Sequence, residues 1–518
     1  MFIRPIRRFV FTIILGIFAA ILGMLYRHSI TDKLFHSTIL SSSATMAQVT
    51  RRPVIVVGSG LAGLSAAHEA LRAGAAVHML DRAPKPGGNS IKASSGINGA
   101  GTQFQRAAGV ERDDLFYDDT VRSGGRRFAG AEGAVDRPKL VGLLTKSSAD
   151  AVTWLAEEIG VDLSVVAPLG GHSLPRTHRG AGKTPPGAAI VTTLLKKLGE
   201  NREFRLSNSA EVTSLTVVDG VVKGVRYVQD DGEQRDLEGP VVFAAGGFAG
   251  DADGLLAKYR PDLAGLPSTN EARPAPHGIL EAVGAELVDM DSVQVHPTGF
   301  VDPKDPGARY KFLAAEVLRG EGGILLSEGG ERFVDEMQTR EHVSRAIMQL
   351  LRREPEDSSR QWDVTLLMDP GACEATEGHL KFYLWKGLME KKKIRDLRPA
   401  VIRAVDEYAA AVASGTDSAF GRRTFGRWKL PAGEANREEE VCIGRVTPIT
   451  HFTMGGASFN ERAQVLRKDR TVVDGLWAAG EVTGGIHGDN RLGGSSLLEC
   501  VVYGRIAGQE AANAATSS

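Results

Sequence analysis

Residues 312–340 bring a carboxylate and several guanidinium groups together around a glycine-rich turn, a combination that could form a charged site. Glu316 and Arg319 lie three residues apart, so on a helix they would share one face, as a short proton relay requires. The turn follows at residues 320–323, and Arg340 closes the segment. Taken alone, such a pair is typical of an ordinary surface helix. A functional role for it depends on the other residues that the fold places beside it.

Length, charge and cysteine spacing limit the possible functions. The chain has 518 residues, enough for two or more domains, and its formal net charge is -1 with 24% charged residues. This balance predicts no nucleic acid partner. The cysteines, Cys373, Cys442 and Cys500, are far apart and form no CxxC motif. We therefore expect no haem attachment, iron–sulfur cluster or other metal site.

The N-terminal segment differs from the rest of the chain. Residues 9–26 are apolar, three arginines precede them, and no acidic residue occurs before Asp32. This pattern predicts an uncleaved signal anchor in the endoplasmic reticulum or mitochondrion, with a cleaved signal peptide or a mitochondrial presequence as alternatives. We assign residues 1–49 to this anchor and its linker. Initiation at Met46 would give a soluble form.

A complete βαβ dinucleotide-binding fingerprint follows. A buried strand at residues 54–57 leads into Gly58-Ser-Gly60-Leu-Ala-Gly63, then a helix, then a second strand that ends at Asp81. Gly58 permits a tight turn, Gly60 lets the backbone approach a pyrophosphate, and Gly63 lets the helix pack closely. The helix N-terminus would face the phosphates. Asp81 is placed to accept hydrogen bonds from a ribose.

Later small-residue stretches favour FAD over NAD. Residues 86–101 are rich in glycine, serine and alanine, so backbone N–H groups could line a flat ring. An apolar run ending at Ala245 and another near the C-terminus, before Glu481, repeat the strand-then-glycine pattern, and Glu481 suits ribityl hydroxyls. The predicted FAD-binding residues are Gly58, Ser59, Gly60, Leu61, Ala62, Gly63, Asp81, Arg82, Gly88, Asn89, Ser90, Ser95, Gly96, Ala245, Glu481, Ser496 and Leu497.

From about Val54 to the C-terminus, the sequence resembles the flavoprotein family of fumarate reductases and succinate dehydrogenases. It is most similar to the soluble, yeast-type fumarate reductases, because no haem domain precedes the flavin domain. The motifs that carry the resemblance are His296-Pro-Thr-Gly299, Glu316-x-x-Arg319-Gly320, Arg332-Phe333 with Arg340, His451-Phe-Thr-Met-Gly-Gly456 and His487-Gly-Asp-Asn-Arg491-Leu-Gly-Gly494.

The resemblance implies an α/β fold with a Rossmann-like FAD-binding domain built from both chain ends and an inserted α+β capping domain. The expected boundaries are 50–290 and 452–518 for the FAD-binding domain and 291–451 for the cap. It also implies non-covalent FAD, because Asn89 and Ser90 stand where the membrane-complex relatives carry a histidine that tethers FAD.

Fumarate is a planar dicarboxylate, and its reduction needs donors at both ends. His451 and Arg491 could bind one carboxylate and His296 the other, which would polarise the alkene. The resemblance makes Arg340 the proton donor. A free arginine has a pKa above ~12, so a relay must reload it. Glu316 and Arg319 resemble that relay from solvent.

One position departs from the family pattern. A threonine that binds substrate carboxylate often precedes the relay glutamate in the family, whereas this chain has Ala315. One hydroxyl is therefore lost from the expected substrate site.

The predicted function is the FAD-dependent reduction of fumarate to succinate, with hydride from flavin N5, a proton from Arg340 and electrons from an external reduced flavin or other donor. The alternatives are an L-aspartate oxidase-like dicarboxylate oxidase and a non-catalytic flavin-binding electron-relay protein.

Several other charged residues receive structural interpretations. Arg332 is expected to form an ion pair, and His487 to be a loop or flavin-contact residue. His172, His178 and Arg179 are expected on the adenine side or the surface. The basic run at residues 391–393 is expected to be a solvated helix face.

Overall fold

The computed structural model describes residues 52–128, 135–182, 184–351 and 359–516. These belong to one compact unit, Arg51–Ser518. Residues 9–26, interpreted above as an anchor, and Met46 lie outside the described residues. Within the described ranges, no helix is both long and apolar enough to cross a bilayer.

Strands occur along the whole described part of the chain. Numbered in order, they are β1 (Val54–Val57), β2 (Val77–Leu80), β3 (Ile97–Asn98), β4 (Val165–Ala167), β5 (Thr177–Arg179), β6 (Phe204–Ser207), β7 (Glu211–Val218), β8 (Val221–Val228), β9 (Gln234–Glu238), β10 (Val241–Phe243), β11 (Leu287–Val288), β12 (Val293–Phe300), β13 (Phe312–Leu313), β14 (Ile324–Leu326), β15 (Val364–Met368), β16 (Glu390–Lys393), β17 (Glu440–Thr453), β18 (Gly456–Ala457), β19 (Gln464–Leu466) and β20 (Val472–Ala478).

The helices alternate with these strands. They are α1 (Leu61–Arg72), α2 (Gln103–Ala107), α3 (Phe116–Gly124), α4 (Arg137–Lys146), α5 (Ser148–Thr153), α6 (Pro186–Gly199), α7 (Leu255–Tyr259), α8 (His277–Glu281), α9 (Glu316–Gly320), α10 (Arg340–Met348), α11 (Pro370–Ala375), α12 (Glu377–Lys386), α13 (Pro399–Ser414) and α14 (Ser495–Thr516).

A six-stranded sheet in the order β19-β20-β10-β1-β2-β6 forms the centre of the FAD-binding half. Its strands are parallel except for β19, which runs antiparallel to β20 at the edge. The strand β1 is buried along its whole length, as its uninterrupted apolar sequence predicts for a strand covered on both faces. One face of the sheet packs against helices α1, α6 and α14, and the other packs largely against the β7–β9 sheet. Strands from distant parts of the chain therefore complete one Rossmann-like sheet, and the predicted fold class is confirmed.

Helices α1 and α14 bring the two ends of the chain into backbone contact. A Cβ atom at Gly508 would lie 2.1 Å from the carbonyl oxygen of Ala66, and one at Gly504 would lie 2.5 Å from that of Ala62. Only glycine permits this separation, because each Cβ would overlap an atom of the opposing main chain. The contact holds the C-terminal helix against the helix of the fingerprint.

The inserted segment forms its own antiparallel sheet, in the order β13-β12-β17-β15-β14, with β16 added beside β17. Apolar side chains from this sheet and from α9–α12 make a separate core, which includes Phe300, Leu318 and Leu366. This is the α+β cap that the sequence predicted. Strand β17 continues past residue 451, and the numerical domain boundaries stay predictions.

The prediction that the basic run at residues 391–393 belongs to a helix was wrong. The run forms strand β16 rather than a helix face, and Lys391 pairs in register with Cys442 of β17. Its side chains are largely exposed, as expected. An edge strand can carry lysines because their charge discourages pairing with another chain.

We predict different effects of two glycine-to-alanine substitutions on stability. Gly508→Ala should lower the thermal unfolding midpoint and the FAD content, because overpacking costs about 1–3 kcal/mol. Gly142→Ala in α4, where a Cβ meets no atom within 4 Å, should leave the midpoint unchanged or raise it, because alanine favours a helix by ~1 kcal/mol. Equal midpoints for the two variants would contradict close packing of α1 and α14.

Candidate active site

A cavity of about 550 Å³ lies between the parallel sheet and the cap. One end is lined by the glycine-rich turn after β1, and the other by a cluster of histidines and arginines. The predicted residues that line it are Gly58, Ser59, Gly60, Leu61, Ala62, Asp81, Arg82, Gly88, Asn89, Ser90, Ser95, Gly96, Ala245, His296, Arg340, His451, Glu481, Arg491, Ser496 and Leu497.

Three predicted residues lie behind the cavity wall. A Cβ atom at Gly63 would be 2.0 Å from the carbonyl oxygen of Gly58, so Gly63 serves helix packing and does not face the cavity. Glu316 and Arg319 are buried and reach the cavity only through neighbouring groups. The individual roles of the lining residues stay predictions.

Hydrogen bonds join the two glycine-rich stretches at the fingerprint end. The backbone N–H of Leu61, at the start of α1, donates to Ser90 Oγ at 3.0 Å. Asp81 accepts from the N–H of Ser59 at 2.7 Å, and also from its hydroxyl. Small residues, a twelve-residue helix with its N-terminus at the wall and an acid after β2 fit the pyrophosphate and ribose of FAD.

Glu481 lies where the two halves of the cavity meet. Its Oε1 accepts from the N–H of Thr453 at 3.0 Å and from the Thr453 hydroxyl at 3.2 Å. Burial raises the pKa of the Glu481 carboxyl to about 7, against the opposing effect of these hydrogen bonds. This carboxyl is therefore about half ionised near neutral pH.

His296 presents an unpaired donor at the other end of the cavity. Strand β12 places it there, and the N–H of Thr298 donates to its Nδ1 at 3.2 Å. Burial, followed by the charges of Arg340 and Arg319, holds the pKa of His296 well below its usual value, so the ring is neutral. Its proton must then be on Nε2, which is buried without a hydrogen-bond partner in the described structure.

His451, on β17, faces His296 across the cavity. The two ring centroids are 5.3 Å apart, with the rings close to edge-to-face. Burial, together with His296 and Arg340, also lowers the pKa of His451 well below its usual value. Two neutral imidazoles can therefore donate hydrogen bonds here without adding charge.

Arg340 and Glu316 form a buried ion pair at the cavity wall. Arg340 begins α10 and Glu316 begins α9, and Arg340 Nε donates to Glu316 Oε2 at 2.7 Å. The N–H of Gly170, from the FAD-binding half, donates to the other carboxylate oxygen at 2.9 Å. Burial alone would raise the pKa of the Glu316 carboxyl, but Arg340, Arg319 and this N–H outweigh it and lower the pKa to about 2.

Arg319 is 1% exposed, and its Nη1 donates to the carbonyl oxygen of Glu336 at 2.6 Å. Behind it, Arg332 and Arg422 pair with the carboxylates of Glu336 and Asp417 in a network whose charges cancel. Arg332 is thus a structural ion-pair residue, as expected. Because Arg319 is fully enclosed, any relay through it must continue through further groups to reach solvent.

Arg491 is the second buried arginine that lines the cavity. Its guanidinium lies 4.3 Å from the centre of the Phe452 ring, and its Nε has no hydrogen-bond partner among the described residues. No carboxylate in those ranges forms an ion pair with it. Burial, then the charge of Arg340, lowers the pKa of Arg491 to about 9, so it remains charged at neutral pH.

The site around His296 and His451 therefore has excess positive charge. Of the three guanidinium groups, those of Arg319, Arg340 and Arg491, only that of Arg340 forms an ion pair with a carboxylate of the described residues, that of Glu316. Glu481 and Glu499 act on Arg491 from a greater distance and offset part of its charge. Buried guanidinium groups without a contacting carboxylate are costly unless an anion binds, so the geometry suits an anionic ligand.

Two residues in the site were missed by the sequence analysis. Gln294 accepts from Arg340 Nη1 at 2.9 Å and donates to Asn490 Oδ1 at 2.8 Å, so it links cap and FAD-binding halves. The two-residue period of strand β12 could have revealed it, since it shares a face with His296. Tyr383, whose hydroxyl accepts from the N–H of Ala315 at 3.2 Å, had no such pattern.

The three other histidines that the sequence analysis discussed, His172, His178 and His487, do not line the cavity. His487 Nε2 lies 2.9 Å from Glu499, and His487 is not a cavity-lining residue. His178 is fully buried and lies 2.7 Å from the Thr102 hydroxyl, so its expected position on the adenine side or surface was wrong. His172 contacts the carbonyl oxygen of Gly493 at 3.0 Å. These contacts hold the loops that surround Glu316 and Arg491.

Comparisons with known proteins agree with this architecture. The family model described as FAD binding domain matches residues 53–497. Fumarate reductase 1 of Saccharomyces cerevisiae is 42% identical, over 89% of this chain and 98% of its own length. Fumarate reductase of Schizosaccharomyces pombe is 39% identical, over 92% of both chains. The open conformation of a flavocytochrome c3 fumarate reductase matches with a TM-score of 0.69 at 33% identity, covering 90% of this chain and 78% of that one.

The chain belongs to the FAD-binding flavoprotein family that includes these fumarate reductases. Members of this family bind FAD, and the glycine-rich lining of the cavity fits this cofactor.

We predict a pH-dependent stability difference at Glu481. Its folded pKa of about 7 exceeds the unfolded value, so the favourable contribution present at low pH is lost as pH rises through about 7. Glu481→Gln removes this titration. The free energy of unfolding of the FAD-free variant, relative to the FAD-free parent chain, should therefore increase between pH 5 and pH 8 in urea titrations.

Glu328→Gln, at an exposed position, provides the control and should show no such trend. A Glu481→Gln difference that is flat with pH would contradict the raised pKa.

Proposed function

We propose that the protein reduces fumarate, or a closely related dicarboxylate, to succinate or its equivalent. The observation that carries the proposal is the buried guanidinium of Arg491, which lines the cavity beside His296 and His451 without an ion-pair partner among the described residues, and whose charge a carboxylate of fumarate would balance. The names of the similar yeast proteins support the same substrate. FAD, when bound, supplies a hydride from N5, and the electrons come from an external reduced flavin or other donor.

His451 and Arg491 would bind one carboxylate of the substrate, and His296 Nε2–H would donate to the other. Arg491 brings a full charge and an unpaired Nε–H. Donation by a neutral imidazole polarises the alkene without a further cost of burying charge. These residues also hold the substrate in one orientation, which by itself lowers the barrier.

Arg340 would hold the proton that is delivered to the substrate carbon. It lines the cavity, and its Nε–H contacts Glu316 at 2.7 Å, so a proton can return through that carboxylate. The pKa of about 2 at Glu316 means that a proton passes through this group without residing there. Burial, the largest influence, lowers the pKa of Arg319, which makes proton transfer from this guanidinium easier.

The charge balance also separates fumarate reduction from the oxidase alternative. Aspartate carries an ammonium group, which would need a carboxylate partner near the two histidines. Glu316 is the ionised carboxylate there, and it already contacts Arg340 and Gly170. The arrangement therefore favours a ligand with two carboxylates and no cation.

The cofactor is proposed to be bound without a covalent link. Asn89 and Ser90 occupy the position of the tethering histidine in membrane-complex relatives, and both line the cavity. Neither residue has an imidazole that could form a covalent bond to the flavin.

We predict that Arg340→Ala retains FAD but loses fumarate reduction by at least ~10²-fold, the usual contribution of a general acid. Turnover would be measured anaerobically with chemically reduced flavin, and FAD after acid precipitation, which releases a non-covalent cofactor. Arg340→Gln, which keeps an N–H donor for Glu316, covers the case in which the alanine variant does not fold.

Arg345→Ala is the matched control, because Arg345 lies on the same helix with its side chain 69% exposed. It should keep full activity. Near-normal turnover in both Arg340 variants would overturn the assigned role of Arg340.

Residues 9–26 are proposed to anchor the protein in the membrane of the endoplasmic reticulum or mitochondrion, on the strength of their apolar sequence. The full chain should remain in the pellet when membranes are extracted with alkaline carbonate. A chain that begins at Met46 should be released. Release of both would exclude the anchor.

A further inference from the structure

Four aromatic side chains form a cluster at the mouth of the cavity, here named the aromatic rim: Tyr310, Phe312, Phe382 and Trp385. Successive ring centroids are 5.6, 6.0 and 6.1 Å apart. Tyr310, Phe382 and Trp385 are 38%, 41% and 76% exposed, and they are three of the four exposed aromatic side chains in the described ranges.

Exposing large rings in one place does not stabilise a folded chain, because burying them would be favourable. Contiguous exposed apolar groups in soluble proteins are commonly binding surfaces. We therefore infer that a ligand binds to the aromatic rim and covers its exposed rings.

The aromatic rim adjoins the cofactor end of the cavity. Tyr310, Phe312 and Phe382 line the cavity, while Trp385 lies outside it beside Phe382. On the same helix, α12, His379 Nε2 donates to the carbonyl oxygen of Ser94 at 3.0 Å. Ser94 belongs to the small-residue stretch assigned to the flavin ring. Trp385 lies six residues further along α12, about 9 Å along the helix axis.

Two ammonium groups lie over the aromatic rim. Lys386 Nζ is 5.1 Å from the centre of the Phe312 ring and 5.6 Å from that of Trp385. Lys92 Nζ is 5.4 Å from the centre of the Tyr310 ring and 3.6 Å from the carboxylate of Glu271. The surface thus combines flat apolar rings with positive charge at their edge, which suits a planar ring that carries a phosphate.

We propose that the aromatic rim is the docking site of the external electron donor, and that this donor is reduced flavin mononucleotide. Its isoalloxazine ring would stack on Trp385 and Phe382, and its phosphate would approach Lys386. The inference rests on the proposed function. The reaction balances, because the donor loses two electrons and two protons to become the oxidised mononucleotide, and fumarate gains two of each to become succinate.

Binding to the holoenzyme tests the proposal independently of turnover. Oxidised flavin mononucleotide should bind the FAD-loaded protein in calorimetric titrations, and its fluorescence should be quenched on stacking. Trp385→Ala should weaken this binding about tenfold, the usual contribution of one stacked ring. Val218→Ala, at an exposed position at the end of strand β7, is the matched control and should leave the affinity unchanged.

Comparison with riboflavin isolates the phosphate. Lys386→Gln should weaken binding of flavin mononucleotide about fivefold and leave riboflavin binding unchanged. The Trp385→Ala variant should also show a higher KM for the reduced mononucleotide, with the KM for fumarate unchanged.

Two further results keep this inference separate from the proposed function. Absence of fumarate turnover with dithionite, a donor without a ring, would overturn the proposed function whatever the binding data show. Equal affinity of the parent chain and Trp385→Ala for flavin mononucleotide would overturn the docking site. Retention of the protein on anionic lipid vesicles, lost in Trp385→Ala while flavin affinity is unaffected, would assign the aromatic rim to a membrane surface and also overturn it.

Discussion

An uncompensated positive charge inside the cavity is the constraint on which the site depends. Arg491 has no carboxylate partner among the described residues, whereas Arg332 and Arg422 are matched by Glu336 and Asp417. Burying a lone guanidinium is expensive, so its presence indicates an anionic ligand. Burial, followed by the charges of Arg340 and Arg319, keeps His296 neutral, with its proton on Nε2. Substrate charge, imidazole protonation and proton delivery are thus set by one electrostatic arrangement.

The fold produces this arrangement by joining two cores around one carboxylate. Glu316 and Arg340 start two cap helices, while the N–H that completes the hydrogen bonding of Glu316 comes from Gly170 in the FAD-binding half. Gln294 makes the second link, from Arg340 to Asn490. Separating cap from sheet would break both links and expose the charges to water, which weakens them. Enclosure is therefore part of how the site works.

The sequence predicted what depends on local pattern. The βαβ fingerprint shows itself in adjacent residues, and the pairing of α1 with α14 explains why glycine-rich stretches from both chain ends line one cavity. The sequence could not predict contacts between residues that are far apart along the chain. The sequence of the lysines at 391–393 predicted a helix, but these residues form a strand because they pair with β17. Arg319 was predicted to lie on a proton path from solvent, yet it is buried behind the network of Arg422 and Glu336.

The central claim is that the cavity is matched to a dianion. Calorimetric titration of the oxidised, FAD-loaded protein with fumarate and with monomethyl fumarate tests it without turnover, because the two ligands share a planar skeleton and differ by one charge. Fumarate should bind at least about tenfold more tightly, since one charge-assisted hydrogen-bond pair is worth ~1.5–3 kcal/mol. Equal affinities for the diacid and the monoester would contradict the account.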